Sequence, residues 1–115
     1  MTLHNVIMAM TVLNTLALKK FARKHRDAAA PLDRRLELVQ SAQWHGIVDV
    51  RKVFPKADGV TVKIKGGGTL IATVFNIKCN EYRLITVLDY AAASAIVREV
   101  LTHSEYNKNT WQDRL

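Results

Sequence analysis

The sequence predicts an α+β domain in which N-terminal helices pack on one face of an antiparallel β-sheet. The hydrophobic period is helical as far as Phe54, and after the segment PKADG it changes to the strict alternation of residues 60–65. Helices that precede a run of strands are typical of the α+β class. A chain of 115 residues is long enough for one domain, which we place at residues 10–115. Residues 1–9 show no firm periodicity, and they fit an extra strand, an ordered cap or a ragged extension.

Three helices are predicted before Pro55. The first begins at Asn14 or Thr15, both plausible N-caps, and runs to about His25. The second has Pro31 in its first turn, and the third ends where Pro55 removes a backbone donor. Their apolar stripes are Leu13, Leu16, Ala17 and Phe21 in the first, Leu32, Leu36 and Val39 in the second, and Ile47, Val50 and Phe54 in the third.

The strands that follow are separated by clear turn signals. GGG at residues 66–68, KCNE at 78–81 and AAAS at 91–94 divide the second half of the chain into a meander. If AAAS is a four-residue hairpin loop, Arg83 faces Thr102 and Arg98 faces Val87, and the two arginines share one face of the sheet. A slip of one residue in that register would place the two arginines on opposite faces.

The composition indicates the kind of partner and the cellular compartment. Lys and Arg number 17 against 10 acidic residues, a net charge of +7, which favours a polyanionic partner such as RNA, DNA, an anionic membrane surface or an acidic protein. The single cysteine, Cys79, cannot form an intramolecular disulfide and fits a reducing, cytoplasmic setting. The apolar start of the chain lacks the positive region of a secretion signal, and no stretch approaches the ~20 apolar residues of a membrane span. We therefore expect an intracellular protein that does not insert into a membrane.

Several common chemistries have no support in the sequence. The histidines at positions 4, 25, 45 and 103 are scattered, so no metal site or other cofactor is expected. The GGG segment is a hairpin turn and not a phosphate-binding loop, and no nucleophile elbow of the G-x-S-x-G kind is present.

Polar side chains cluster at the end of the last predicted strand, in the segment REVLTHSEYNK. Arg98, His103, Tyr106 and Lys108 occur within eleven residues, and the proposed register adds Arg83. Such a set suits a phosphodiester, because RNA cleavage needs a base for the 2′-hydroxyl, cations for the phosphorane and an acid for the departing 5′-oxygen. The alternative is structural: a strand arginine often lies along the surface, and Tyr106 would then close the core.

Two longer segments carry a resemblance to a known family. The two segments are VFNIKCNEYRLITVLDY and IVREVLTHSEYNKNTW, and further matches lie upstream in LALKKFARKHRDAAAPL and VRKVFPKAD. Together they resemble the HigB-type toxins of bacterial type II toxin–antitoxin systems, a branch of the RelE superfamily. The resemblance covers roughly residues 10–111, and T-H-x-E-Y is its most specific part. The sequence departs from the family pattern at Lys78-Cys79, where Gly-Gly is usual, at Asn107, where Asp is usual, and in a longer hairpin around the GGG turn.

The resemblance implies a RelE-like fold and metal-independent cleavage of mRNA in the ribosomal A site, with contacts to ribosomal RNA. It also implies neutralisation by a cognate helix-turn-helix antitoxin. The matching site positions are Asn80, Arg83, Arg98, His103 and Tyr106, to which we add Lys108 from just beyond the motif.

The expected roles follow from side-chain chemistry. His103 would be the general acid or base, since an imidazole titrates near neutrality. Arg83 and Arg98 would bind the scissile phosphate, and Tyr106 would donate a proton or stack on a base. Asn80 and Lys108 would contact RNA.

Two other functions fit the same residues: a non-catalytic nucleic-acid-binding module on this fold, and a basic docking surface for an acidic protein. Two tryptophans bear on the structure as well. Trp44 is expected in the core, whereas Trp111 lies in the segment NTWQDRL, which either packs across the sheet or lies at the substrate.

Overall fold

The structure is a computed structural model that describes residues 9–115. The predicted N-terminal extension, apart from Ala9, lies outside the described residues. The elements in chain order are β1 (Thr11–Leu13), α1 (Leu16–Lys24), α2 (Ala29–Gln40), α3 (Ile47–Val53), β2 (Asp58–Lys63), β3 (Thr69–Ile77), β4 (Tyr82–Asp89), β5 (Ser94–Thr102) and α4 (His103–Asn107), with 3-10 turns at Arg26–Ala28 and Thr110–Arg114. Helices followed by a strand meander confirm the predicted α+β class.

The strands of the described chain form one sheet in the order β1-β5-β4-β3-β2. The last four strands are antiparallel neighbours, whereas β1 pairs with β5 in parallel. The sheet is therefore mixed and not purely antiparallel as predicted. The prediction missed β1 because a three-residue strand is too short to show a period, and it assigned Leu13, which ends β1, to the helix that follows.

The three predicted helices are present close to their expected bounds. Thr15 is the N-cap of α1, and Pro31 lies in the first turn of α2. Helix α3 ends at Val53, two residues before Pro55. Short-range signals were sufficient here because each helix has its own breaker and its own apolar stripe.

Two clusters of buried side chains hold the domain together. The first joins the helices to one set of strand residues, and its larger members include Leu18, Leu32, Val39, Trp44, Val50, Phe54, Phe75, Ile77, Leu84 and Val97. The second contains Val62, Ala72, Val74, Ile85, Leu101 and Trp111. Neighbouring β3 residues fall in different clusters, so the clusters lie on opposite faces of the sheet. Trp44 is in the core as expected, and Trp111 shows that the C-terminal segment packs on the second face.

The register of β4 and β5 differs from the predicted one. Asp89 faces Ser94, so the hairpin loop is residues 90–93, one position earlier than AAAS. The shifted loop and a β-bulge further along the strands together place Arg83 opposite Leu101 and not Thr102. The sequence pattern did not distinguish these loops, because both contain the three alanines at positions 91–93.

A β-bulge interrupts the same pair of strands at Arg98. Ile85 faces Glu99 and Thr86 faces Val97, so Arg98 has no opposite residue on β4. An extra residue of this kind changes the direction in which the neighbouring side chains point. The inferred position of Arg98 opposite Val87 is therefore wrong, since Val87 faces Ile96. In residues 9–115 no helix is long and apolar enough to cross a lipid bilayer.

Candidate active site

The turn between β3 and β4 positions the residues of the candidate site. Lys78, Cys79 and Asn80 have φ angles of 49°, 50° and 76°, in the left-handed region. A residue with a Cβ pays roughly 1–2 kcal/mol to adopt this conformation. Lys78 and Cys79 stand where the family resemblance expects Gly-Gly, and they adopt the backbone conformation that glycine favours. The turn is closed by the Glu81 N–H, which donates to the Lys78 carbonyl at 3.1 Å.

The backbone carbonyl of Asn80 brings two predicted site residues together. Its oxygen accepts a hydrogen bond from Arg83 Nη1 at 2.9 Å and lies 3.2 Å from Nδ1 of His103. A carbonyl oxygen only accepts, so Nδ1 of His103 carries the proton in this contact. In the neutral ring Nε2 then has the free lone pair, and it can act as a base.

His103 is the first residue of α4, a short helix that the sequence analysis did not predict. Thr102 caps the helix: its hydroxyl accepts from the Glu105 N–H at 3.2 Å, and the Glu105 carboxylate accepts from the Thr102 N–H at 2.9 Å. The His103 N–H also donates to the carbonyl of Glu81 at 2.9 Å. This capping box fixes the backbone of His103 against the β3–β4 turn.

Tyr106 contacts both a cation and a buried aromatic ring. Arg83 Cζ is 5.2 Å from the centre of the Tyr106 ring, and Trp111 stacks on that ring at 5.4 Å with an interplanar angle of 16°. Burial raises the pKa of Tyr106, the negative charge of Asp58 raises it further, and Arg83 opposes the shift. Tyr106 is therefore a neutral phenol at physiological pH, able to donate a proton.

A cleft of about 430 Å³ opens beside Arg83 and Tyr106, whereas Asn80 and His103 are not among the residues that line it. Three cations, Arg51, Lys56 and Arg83, line it together with Asp58 and Tyr106. Two larger clefts lie elsewhere, about 540 Å³ between α1 and α2 and about 690 Å³ beside β2 and β3. We place the site in the smaller cleft because it joins cations to the predicted Arg83 and Tyr106, which matters more for phosphate chemistry than volume.

Arg51 and Lys56 were missed by the sequence analysis. Arg51 lies on α3, where its Nε donates to the Ala57 carbonyl at 3.1 Å, and Lys56 lies in the loop that follows. The segment VRKVFPKAD, already matched to the family, was the available signal. Only the packing of α3 beside the sheet shows that these two cations share a cleft with Arg83.

The structure places the other two predicted residues in different surroundings. Arg98 Nη2 donates to the carbonyl oxygen of Arg114 at 3.3 Å. Arg114 in turn contacts both carboxylate oxygens of Glu99 at 3.0 Å. Lys108 lies at the C-terminal end of α4. Of the six predicted residues, the contacts above therefore join Asn80, Arg83, His103 and Tyr106.

The α+β fold with its mixed sheet is consistent with a RelE-like protein. A family model described as HigB_toxin, RelE-like toxic component of a toxin-antitoxin system, matches residues 28–109 of the 115. The chain belongs to this family of toxins, and an antitoxin partner is implied. The match confirms the resemblance, although β1 and α1 lie outside it. No curated protein matches the chain.

Proposed function

We propose that this toxin is a ribosome-dependent endoribonuclease that cleaves translated mRNA in the A site and so arrests growth. The main support for this proposal is the Asn80 carbonyl, which accepts a hydrogen bond from Arg83 at 2.9 Å and contacts His103 Nδ1 at 3.2 Å. Arg83 also lies over the ring of Tyr106. A cation, a base and an acid are thereby close to one another. The toxin would act in the cytoplasm, and a cognate helix-turn-helix antitoxin would neutralise it.

The chemistry follows from the protonation states. His103 Nε2 takes the proton of the 2′-hydroxyl as that oxygen attacks phosphorus. Arg83 stabilises the negative charge that develops on the phosphorane oxygens. The bond from phosphorus to the 5′-oxygen breaks, and Tyr106 gives its phenolic proton to that oxygen. The products are a 2′,3′-cyclic phosphate and a 5′-hydroxyl, and no step requires a metal ion.

Tyr106 keeps its proton at neutral pH, because burial and then Asp58 raise its pKa, so a phenolic proton is available at the site. A phenol that keeps its proton at neutral pH cannot be the base. Arg51 and Lys56 line the same cleft and would hold phosphates on either side of the scissile bond.

Basic residues outside the cleft would serve docking. Helix α1 has the sequence LALKKFARK, with four cations and no acidic residue. A surface of this kind attracts ribosomal RNA, or an acidic antitoxin segment, by long-range electrostatics.

Induction of the wild-type chain in bacteria tests the proposal. Growth should stop, and an mRNA should be cut only when it carries a start codon and is translated. His103→Ala should abolish both effects while remaining folded by circular dichroism. His45→Ala is the matched control, since His45 is exposed and lies two residues before α3. Normal growth with intact mRNA in the induced wild type would refute the function.

The acid role of Tyr106 has its own test. Tyr106→Phe should cleave a normal mRNA slowly. It should recover most of the rate on an mRNA whose scissile 5′-oxygen is replaced by sulfur, because a thiolate leaves without a proton. An equal defect on both substrates would show that Tyr106 stacks on a base instead.

One observation favours a second candidate, the non-catalytic nucleic-acid-binding module. Arg98 bonds to the Arg114 carbonyl and is not among the residues that line the cleft, which leaves Arg83 as the one predicted arginine there. This candidate predicts salt-sensitive binding of RNA with no cleavage, and His103→Ala would leave that binding unchanged.

A further inference from the structure

The β3–β4 turn is tied to the rest of the domain by one carboxylate. Asp27, in the 3-10 turn before α2, accepts a hydrogen bond from Lys78 Nζ at 2.5 Å through Oδ2 and from the Tyr82 hydroxyl at 2.7 Å through Oδ1. Lys78 is the first residue of the turn and Tyr82 the first residue of β4. A single side chain, more than fifty positions earlier in the sequence, therefore holds both ends of the turn.

This turn needs such support. Lys78, Cys79 and Asn80 are consecutive left-handed residues, and none of them is glycine. Strained conformations of this kind persist only where surrounding contacts hold them. The pKa of Tyr82 is raised to about 12, chiefly by its hydrogen bond to Asp27, so the phenol stays protonated and keeps donating to the carboxylate.

The same turn carries the acceptors of the candidate site. The Asn80 carbonyl contacts Arg83 and His103, and the Glu81 carbonyl accepts from the His103 N–H at 2.9 Å. A shift of the turn backbone therefore moves the guanidinium and the imidazole together.

We infer that Asp27 is a positioning residue for the candidate site: through Lys78 and Tyr82 it fixes the turn whose Asn80 carbonyl aligns Arg83 with His103. The inference deepens the proposed function and rests on it. The competing explanation is an ordinary surface ion pair, since the side chains of Asp27 and Lys78 are each 44% exposed. Such a pair would leave both the geometry of the turn and the rate of cleavage unchanged.

The first test compares the mobility of the turn in different variants, and it uses the single cysteine as the attachment point for a spin label. Cys79 is exposed at the centre of the turn, so a nitroxide attached there reports the motion of the turn without any need for activity. Asp27→Ala should sharpen the spectrum markedly, and Asp27→Glu should sharpen it less. Asp33→Ala is the matched control, an exposed carboxylate on α2. Equal spectra for Asp27→Ala and Asp33→Ala would overturn the inference.

The second comparison is kinetic and uses the unlabelled chain with translating ribosomes. Asp27→Ala should lower kcat by roughly 10- to 100-fold, the loss expected for a displacement near 1 Å, with little change in KM. Lys78→Gly should lose less, because glycine adopts the left-handed conformation without strain. Asp33→Ala should cleave at the wild-type rate.

The outcomes separate the two proposals. A mobile turn in Asp27→Ala with an unchanged kcat would overturn the positioning role and leave the nuclease function standing. A wild-type chain that cleaves nothing would refute the nuclease function. In that case the spin-label comparison alone would decide whether Asp27 holds the turn.

Discussion

Truncation of Trp111 to alanine should destabilise the domain severely. The side chain is 0% exposed in the second core cluster, and its Nε1–H donates to the Tyr106 carbonyl at 3.2 Å. Removing a buried tryptophan costs about 3–5 kcal/mol through lost burial and the cavity left behind. Domains have only about 5–15 kcal/mol of net stability, so this single change removes a large share of it.

The expected shift in melting temperature follows from the size of the chain. For a domain of this length, 1 kcal/mol corresponds to about 4 °C, so Trp111→Ala should lower Tm by about 12–20 °C. Trp111→Phe is the control: it keeps a ring against Tyr106 and loses the indole hydrogen bond, worth about 1 kcal/mol, together with some buried area. Scanning calorimetry of both variants, with urea unfolding at 25 °C, measures the difference.

A fall in Tm of less than about 4 °C for Trp111→Ala would refute the packing of the C-terminal segment. Cleavage should be assayed well below the melting temperature, where both variants are folded. There Trp111→Phe should cleave mRNA at nearly the wild-type rate. Lost activity in Trp111→Phe at an unchanged Tm would place the indole at the substrate instead.

Substitutions at three further positions test the site and the structure that supports it. Arg83→Ala should lower the cleavage rate by about 10²–10³-fold without unfolding, and Arg83→Lys should also be damaging because the fork geometry is lost; single-turnover cleavage measures both. Cys79→Gly should stabilise the chain by about 0.5–1 kcal/mol in urea unfolding, since it relieves a left-handed residue at some entropic cost; a destabilised variant would contradict the strain. The pKa of Glu105 is lowered from its usual 4.5, chiefly by the hydrogen bond from the Thr102 N–H. The ionised carboxylate therefore stabilises the fold fully above pH 4.5. This stabilisation is lost as the pH falls through the lowered pKa. Glu105→Gln should therefore flatten the acid side of a plot of stability against pH from 2.5 to 6, and unchanged curvature would exclude this capping role.

The parts of the fold that were predicted have strong local signals. Each helix has its own stripe and its own breaker, and the GGG turn has φ angles of 93°, 112° and 84°, in the left-handed region. The missed parts depend on distant residues. Strand β1 exists because it pairs with β5, and the bulge at Arg98 is a property of two strands together. Neither can be obtained from the period of one segment.

In the candidate site, too, features with a local sequence signal were predicted and features that depend on distant residues were not. Its chemical members were recognisable, because His103 and Tyr106 belong to a compact motif in the sequence. Their connections were not, because Arg83 and His103 meet at a backbone oxygen, and every residue has one. Arg51 and Lys56 reach the cleft only through the packing of α3.

Asn80 was expected to bind RNA through its side chain, but its contacts suggest that its backbone matters more. The carbonyl holds Arg83 and His103, and φ is 76°, which asparagine tolerates better than most residues. Asn80→Gly should therefore keep most of the cleavage activity, since glycine supplies the same carbonyl in the same conformation. Asn80→Ala should lose more, because its Cβ strains the turn by about 1–2 kcal/mol. Equal losses in both variants would show that the amide side chain itself contacts the substrate, and the order of the two rates decides between backbone and side chain.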